Sequence, residues 1–220
     1  WRNKKDAFDV FKMFWGNPGY GIDGKPGVTT SFNYSDVDFF LLDNRYNRTP
    51  NNRKNGGRTV LGEDQREWLI DALASSKATF KIVCMGGQFL NSAKVLENYS
   101  NYDSERQWIL DQLELEKIRG VIFLSGDRHS TELDIMPREK SYPLHEFTIS
   151  ALTAGPSNYA LKENNIYRQE GTLVTERNFA KISIYGKKKE RILKCTVYNV
   201  AGEEKWSYSI KESDLDYPVQ

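Results

Sequence analysis

Gly126-Asp127-Arg128-His129 places a carboxylate and an imidazole two residues apart, directly after the apolar run Val121-Ile122-Phe123-Leu124-Ser125. If the extended backbone continues past Gly126, both side chains project to one side, as two ligands of a metal ion would. A turn with an exposed Asp and a capped His fits the same residues, because Asp-x-His alone is a weak motif. Hydrolytic two-metal sites need carboxylate, imidazole and amide oxygen donors around ions roughly 3.5–4 Å apart. His129 and His145 are the only histidines, so an imidazole-rich site of that kind cannot be built from this chain. The Gly-x-Ser-x-Gly nucleophile elbow, the Walker phosphate loop and paired Cys-x-x-Cys are all absent. What is left is metal-assisted chemistry with donors supplied partly from outside the chain.

The elements around this motif follow from periodicity. An apolar run that stops at glycine reads as a buried strand of a parallel sheet, whose ligands gather at the carboxyl ends of the strands. Residues 63–130 nearly repeat at a period of forty: Arg66 to Leu73 corresponds to Arg106 to Leu113, and Ile82 to Gly86 corresponds to Ile122 to Gly126. Each copy predicts a helix with one apolar stripe followed by a buried strand, and Ser104 with Gln107 predicts a capping box for the second helix. With right-handed crossovers, strands at 38–43, 81–86 and 121–125 share one sheet. Asp43-Asn44-Arg45, Gly86-Gly87-Gln88 and Gly126-Asp127-Arg128 then meet at one edge. The connection from Asn44 to Gly62 carries arginines at 45, 48, 53 and 58 and is long enough to be suspected of function.

Outside this core, Phe8, Phe11 and Trp15 predict an amphipathic helix over 4–15, and Val28 to Tyr34 a short edge strand. Phe147 to Leu152 reads as a strand, and His145 before it as structural. Alternating segments at 180–185, 192–200 and 206–210 predict an antiparallel meander with one wet face, and 212–220 a loosely held terminus. With 31 Lys+Arg against 30 Asp+Glu, no electrostatic footprint for nucleic acid exists. No stretch reaches the roughly 20 apolar residues that span a bilayer. Cys84 and Cys195 read as small buried hydrophobes.

Taken in order, Phe11-Lys12-Met13-Phe14-Trp15-Gly16-Asn17-Pro18-Gly19, Leu42-Asp43-Asn44-Arg45-Tyr46-Asn47-Arg48, Leu61-Gly62-Glu63-Asp64-Gln65, Ser125-Gly126-Asp127-Arg128-His129 and Leu152-Thr153-Ala154-Gly155-Pro156 closely resemble the PhoD-like alkaline phosphatases and phosphodiesterases, members of the calcineurin-like metallophosphoesterase group. The resemblance implies a layered α-β-β-α fold: helix-strand units over 1–133, then mostly antiparallel strands over 134–220, together the C-terminal part of one domain. It implies phosphoester hydrolysis with two metal ions, iron and calcium, and Asp127 and His129 as metal ligands. Arg45 and Arg48 then stabilise charge on the substrate phosphate, with Gln88 and Arg128 as further substrate contacts. The substrate is a small-molecule, lipid or nucleotide phosphoester, and the location periplasmic, secreted or membrane-associated.

One departure qualifies this. The family's earlier metal-binding elements would precede Trp1, and the chain starts without Met, so an upstream segment of the same domain is the expected partner. By itself the chain is expected to bind metal weakly and to be nearly inactive. A degenerate relative acting as a binding or structural module is the competing reading.

Overall fold

Val121–Ser125 is buried because strands flank it on both sides in the computed structural model, which describes residues 3–218. The larger sheet has six strands: β1 (Thr30–Tyr34), β2 (Val37–Leu41), β3 (Phe80–Cys84), β4 (Val121–Ser125), β5 (Glu132–Met136) and β6 (Leu144–Thr148). Their spatial order is β1-β2-β3-β4-β6-β5, with β2, β3, β4 and β6 parallel and the two edge strands antiparallel. The predicted parallel trio is therefore present. Helices α2 (Glu63–Ser75) and α3 (Asp103–Leu115) are the crossovers that the repeat predicted.

Alternate residues of each strand serve opposite layers, as the pleat requires. Phe40, Val83 and Phe123 lie in register on the helix side, where Phe40 meets Trp68 of α2 and Phe123 stacks on Phe89 at 4.4 Å. Phe39, Ile82, Ile122 and His145 line the opposite face. That face receives the second sheet, an antiparallel meander of β7 (Asn178–Tyr185), β8 (Ile192–Asn199) and β9 (Glu204–Lys211). His145 sits 5.7 Å from the Tyr208 ring, and Phe147 stacks on Trp206. Leu193, Cys195 and Val197 of β8 close the core between the sheets. Cys84 and Cys195 are free thiols pushed up to about 12 by burial, which keeps them inert. Among the described residues, no helix is long and apolar enough to cross a membrane.

Several expectations change. Ser104 does not cap α3: the helix starts at Asp103 with Tyr102 at the N-cap and no side-chain cap bond. The strand expected at 147–152 is shifted back to 144–148. Helix α1 (Lys4–Phe14) exists, but none of its residues is buried, and Trp15 is exposed. The segment expected to be loose, 212–220, is tied down where it is described, 219–220 lying outside the described residues: Leu215 is buried, Gly120 N–H donates to its carbonyl at 3.2 Å, and Tyr217 Oη donates to Leu113 O at 2.7 Å. Strand β5 had no apolar signature, since Glu132 and Asp134 occupy its buried positions.

Candidate functional site at the sheet edge

Asp43 ends β2 and turns the chain. Its carboxylate accepts the amides of Arg45 and Tyr46, both at 2.8 Å, and that of Val28 at 2.9 Å. An Asx turn of this kind spends the aspartate on backbone and delivers Arg45 to the sheet edge. Gln65, in the first turn of α2, fixes the same corner by accepting from Asp43 N–H and donating to Asp43 O. Asn44 Oδ1 accepts the Gly86 amide at 3.0 Å, so the ends of β2 and β3 are joined as expected.

The arginine-rich loop is held from its far side by the start of α3. Glu105, buried, accepts the amides of Val60, Leu61 and Gly62 and the Tyr99 hydroxyl. Arg48 donates through Nε to Tyr102 Oη at 3.0 Å, through Nη2 to Asn51 Oδ1 at 2.8 Å, and pairs through Nη1 with Glu97 at 2.6 Å. Its side chain is only 14% exposed, so it is fully engaged. Arg45 pairs with the other oxygen of Glu97 at 2.6 Å but remains 57% exposed. An apolar cavity of about 330 Å³ opens beside it, between α1 and the ends of β2 and β3, with Phe8, Phe11, Val28, Leu42 and Tyr46 in its walls.

At the end of β4 the backbone does not stay extended. Asp127 and His129 both adopt left-handed conformations, with φ of 66° and 56°. The side chains of both are nevertheless exposed while Arg128 between them is buried. The left-handed backbone thus replaces the extended one from which a shared side was expected, while both residues stay exposed. Ser150 Oγ accepts the His129 amide at 3.0 Å, and His129 Nδ1 lies 2.6 Å from the Gly155 carbonyl oxygen. A carbonyl only accepts, so Nδ1 is the donor, and in the tautomer that carries its single proton there the lone pair lies on Nε2. That tautomer suits a metal ligand, with the carbonyl as its orienting partner.

Arg128 and Gln88 are placed differently from expectation. Arg128 turns inward to an ion pair with Glu163 and a 3.2 Å bond to Asn98 Oδ1. Burial pulls its pKa down from the usual arginine value, against the supporting charges of Glu132 and Asp127. Gln88 is 1% exposed, with Nε2 donating to Glu132 at 2.7 Å and Thr148 at 2.9 Å, and Oε1 accepting from Asn91 at 2.9 Å. All its polar capacity toward the interior is used, so neither residue faces the open edge. Below them Glu146 accepts the amides of Phe89 and Leu90 while Arg106 donates to their carbonyls. Asp134 in the same layer is held well above the usual carboxylate range, by burial first and by Glu132 and Glu146 next.

Glu97, Asn98, Glu105 and Glu163 carry much of this arrangement without any local sequence signal. Several of their partners are distant in sequence: Arg128 is 30 positions from Asn98, and Arg48 and Arg45 are 49 and 52 positions from Glu97. Among the described residues, no group of three or more His, Cys, Asp or Glu is placed to hold one metal ion.

Comparison with known proteins bears on family and fold. Residues 23–194 match the family described as PhoD-like phosphatase. Alkaline phosphatase D of Bacillus subtilis (strain 168) is 25% identical over 117 residues, covering 48% of this chain and 20% of that protein. A solved structure of PhoD superimposes with a TM-score of 0.68 at 17% identity, over 93% of this chain and 48% of the other, a likeness of fold. The chain thus spans less than half the length of either relative. By the extent of the family match, together with the ordered sheet-edge motifs, the chain belongs to the PhoD-like phosphatase family.

Proposed function

We propose that this chain contributes one side of a metal-dependent phosphoester hydrolase site. The observation that carries the proposal is His129: its Nδ1 is taken up by Gly155 O, a bond that leaves Nε2 for a metal ion, and Asp127 two residues before it is likewise exposed. Those two residues fit a metal ion in donor chemistry and accessibility, and they fall well short of the about six to eight ligands that a calcium ion alone takes. The remaining donors come, in this reading, from an upstream segment of the same domain. Two metal ions, iron and calcium by resemblance, supply Lewis-acid activation of water and of the phosphoryl group when bound.

The protein's own contribution is orientation and charge. Arg45 offers its outward guanidinium edge to a phosphate oxygen, where a planar fork is well matched to developing charge. Arg48 acts as a positioning residue that holds Glu97 and through it Arg45. The apolar cavity next to Arg45 can take the carbon portion of a small-molecule, lipid or nucleotide ester. The incomplete donor set among the described residues also supports a noncatalytic binding module, and metal content separates the two.

Elemental analysis of the full-length protein purified without chelator is expected to show bound metal that Asp127→Asn and His129→Ala each reduce, with far-UV circular dichroism unchanged. Equal metal content in the parent and both variants would overturn the ligand assignment and leave the binding module.

A further inference from the structure

Glu97 gives its two carboxylate oxygens to two different arginines, as a phosphate between them would give two of its own. Oε2 meets Arg45 Nη2 and Oε1 meets Arg48 Nη1, each at 2.6 Å. Burial alone would raise the Glu97 carboxyl, but the hydrogen bonds from Arg45 and Arg48 outweigh it and hold the group below its usual range. The three side chains therefore form a unit of two cations and one anion. Glu97 has little freedom to leave it. Its loop is pinned by Asn51 Nδ2 to Leu96 O at 2.9 Å, by Asn98 Nδ2 to Ala93 O at 3.0 Å, by Tyr99 N–H to Gln88 O at 2.9 Å and by Arg128 to Asn98.

This unit has only one open donor face. Arg48 is consumed by Tyr102, Asn51 and Glu97, whereas Arg45 uses one guanidinium nitrogen on Glu97 and has no other side-chain partner among the described residues. A ligand at the open face meets a net charge of one, not two. We infer that Glu97 is a specificity-determining residue: it lowers the advantage that a doubly charged phosphomonoester would otherwise have over a singly charged phosphodiester at the Arg45 face. A phosphodiester carries one negative charge, and a monoester approaches two above its second pKa of about 6. Glu97 offsets one guanidinium and repels each charge of the ligand, so its presence costs the monoester about twice what it costs the diester. The inference rests on Arg45 as the phosphate contact proposed above.

The test uses the full chain in chelator at low salt, titrated by NMR with dimethyl phosphate and, at about pH 8, with methyl phosphate, which is then the dianion. The parent is expected to discriminate less in favour of methyl phosphate than the Glu97→Gln variant does. Glu97→Gln keeps shape and removes charge; it should tighten methyl phosphate about tenfold and dimethyl phosphate about threefold, half the free energy, and Glu97→Ala should act in the same direction. An unchanged preference, or equal tightening of both anions as a simple internal competitor would give, overturns the role of Glu97 while Arg45 stands. If neither anion binds, or Arg45→Ala binds both as the parent does, the phosphate role of Arg45 fails and this inference with it. The metal ligands are judged separately by metal content.

Discussion

Arg128 and Asn98 are hydrogen-bonded at 3.2 Å, and this bond joins the Asp127–His129 turn to the residue next to Glu97. The two loops at the sheet edge are thereby one body. With Glu163 on its other side, the Arg128 side chain is 5% exposed and that of Glu163 2%. Removing one partner of such a pair leaves a buried charge uncompensated. Arg128→Met should cost about 3–5 kcal/mol in urea unfolding. Asn98→Ala should cost about 1–2 kcal/mol, the scale of one hydrogen bond to a charged group. A cost for Arg128→Met within the ±0.5 kcal/mol typical of surface changes would show that the pair is not buried in solution.

Gln88 supplies a second prediction. Because its amide is consumed by Glu132, Thr148 and Asn91, Gln88→Ala should lower stability by about 1–3 kcal/mol through the groups left unpaired. Anion affinity at Arg45 should stay as in the parent. Lost affinity with intact stability would instead make Gln88 a substrate contact.

A third concerns pH. Burial lowers the His145 pKa to about 4 from an ordinary value of 6.5. Between those values the unfolded chain binds a proton that the folded chain refuses, so stability is full above pH 6.5 and declines as the pH falls toward 4. The loss from this one group is about 3 kcal/mol. Chemical denaturation at neutral and mildly acidic pH checks it: His145→Phe should flatten that part of the profile, and an unaltered slope would assign the acid sensitivity elsewhere.

How much was legible depended on the range of the interactions. The apolar runs at 121–125 and 80–84 declare themselves, because both faces of those strands are buried and the sequence says so locally. The meeting of Asn44 with Gly86 followed from parallel topology alone. Strand β5 was hidden, since Glu132 pairs with Arg168 and Asp134 with Asn165, partners from a later loop that make charged residues tolerable inside. The same long reach concealed Glu97 and Glu163. His129 stood out as an imidazole after a buried strand, but the partner of its Nδ1, Gly155, lies 26 residues on. The inward turn of Arg128 needed the left-handed backbone at Asp127 and His129, which no residue type there announces.

The tied terminus gives the site strand an unusual anchorage. Leu215 O receives the Gly120 amide just before β4 begins, and Tyr217 reaches back to the end of α3, so the turn at Glu212–Leu215 latches the root of the strand whose tip bears Asp127 and His129. A cut between β9 and this turn would therefore free the base of β4 from both bonds while the tip keeps its own bond from the His129 amide to Ser150. Root and tip of one strand are thus fastened by separate parts of the chain.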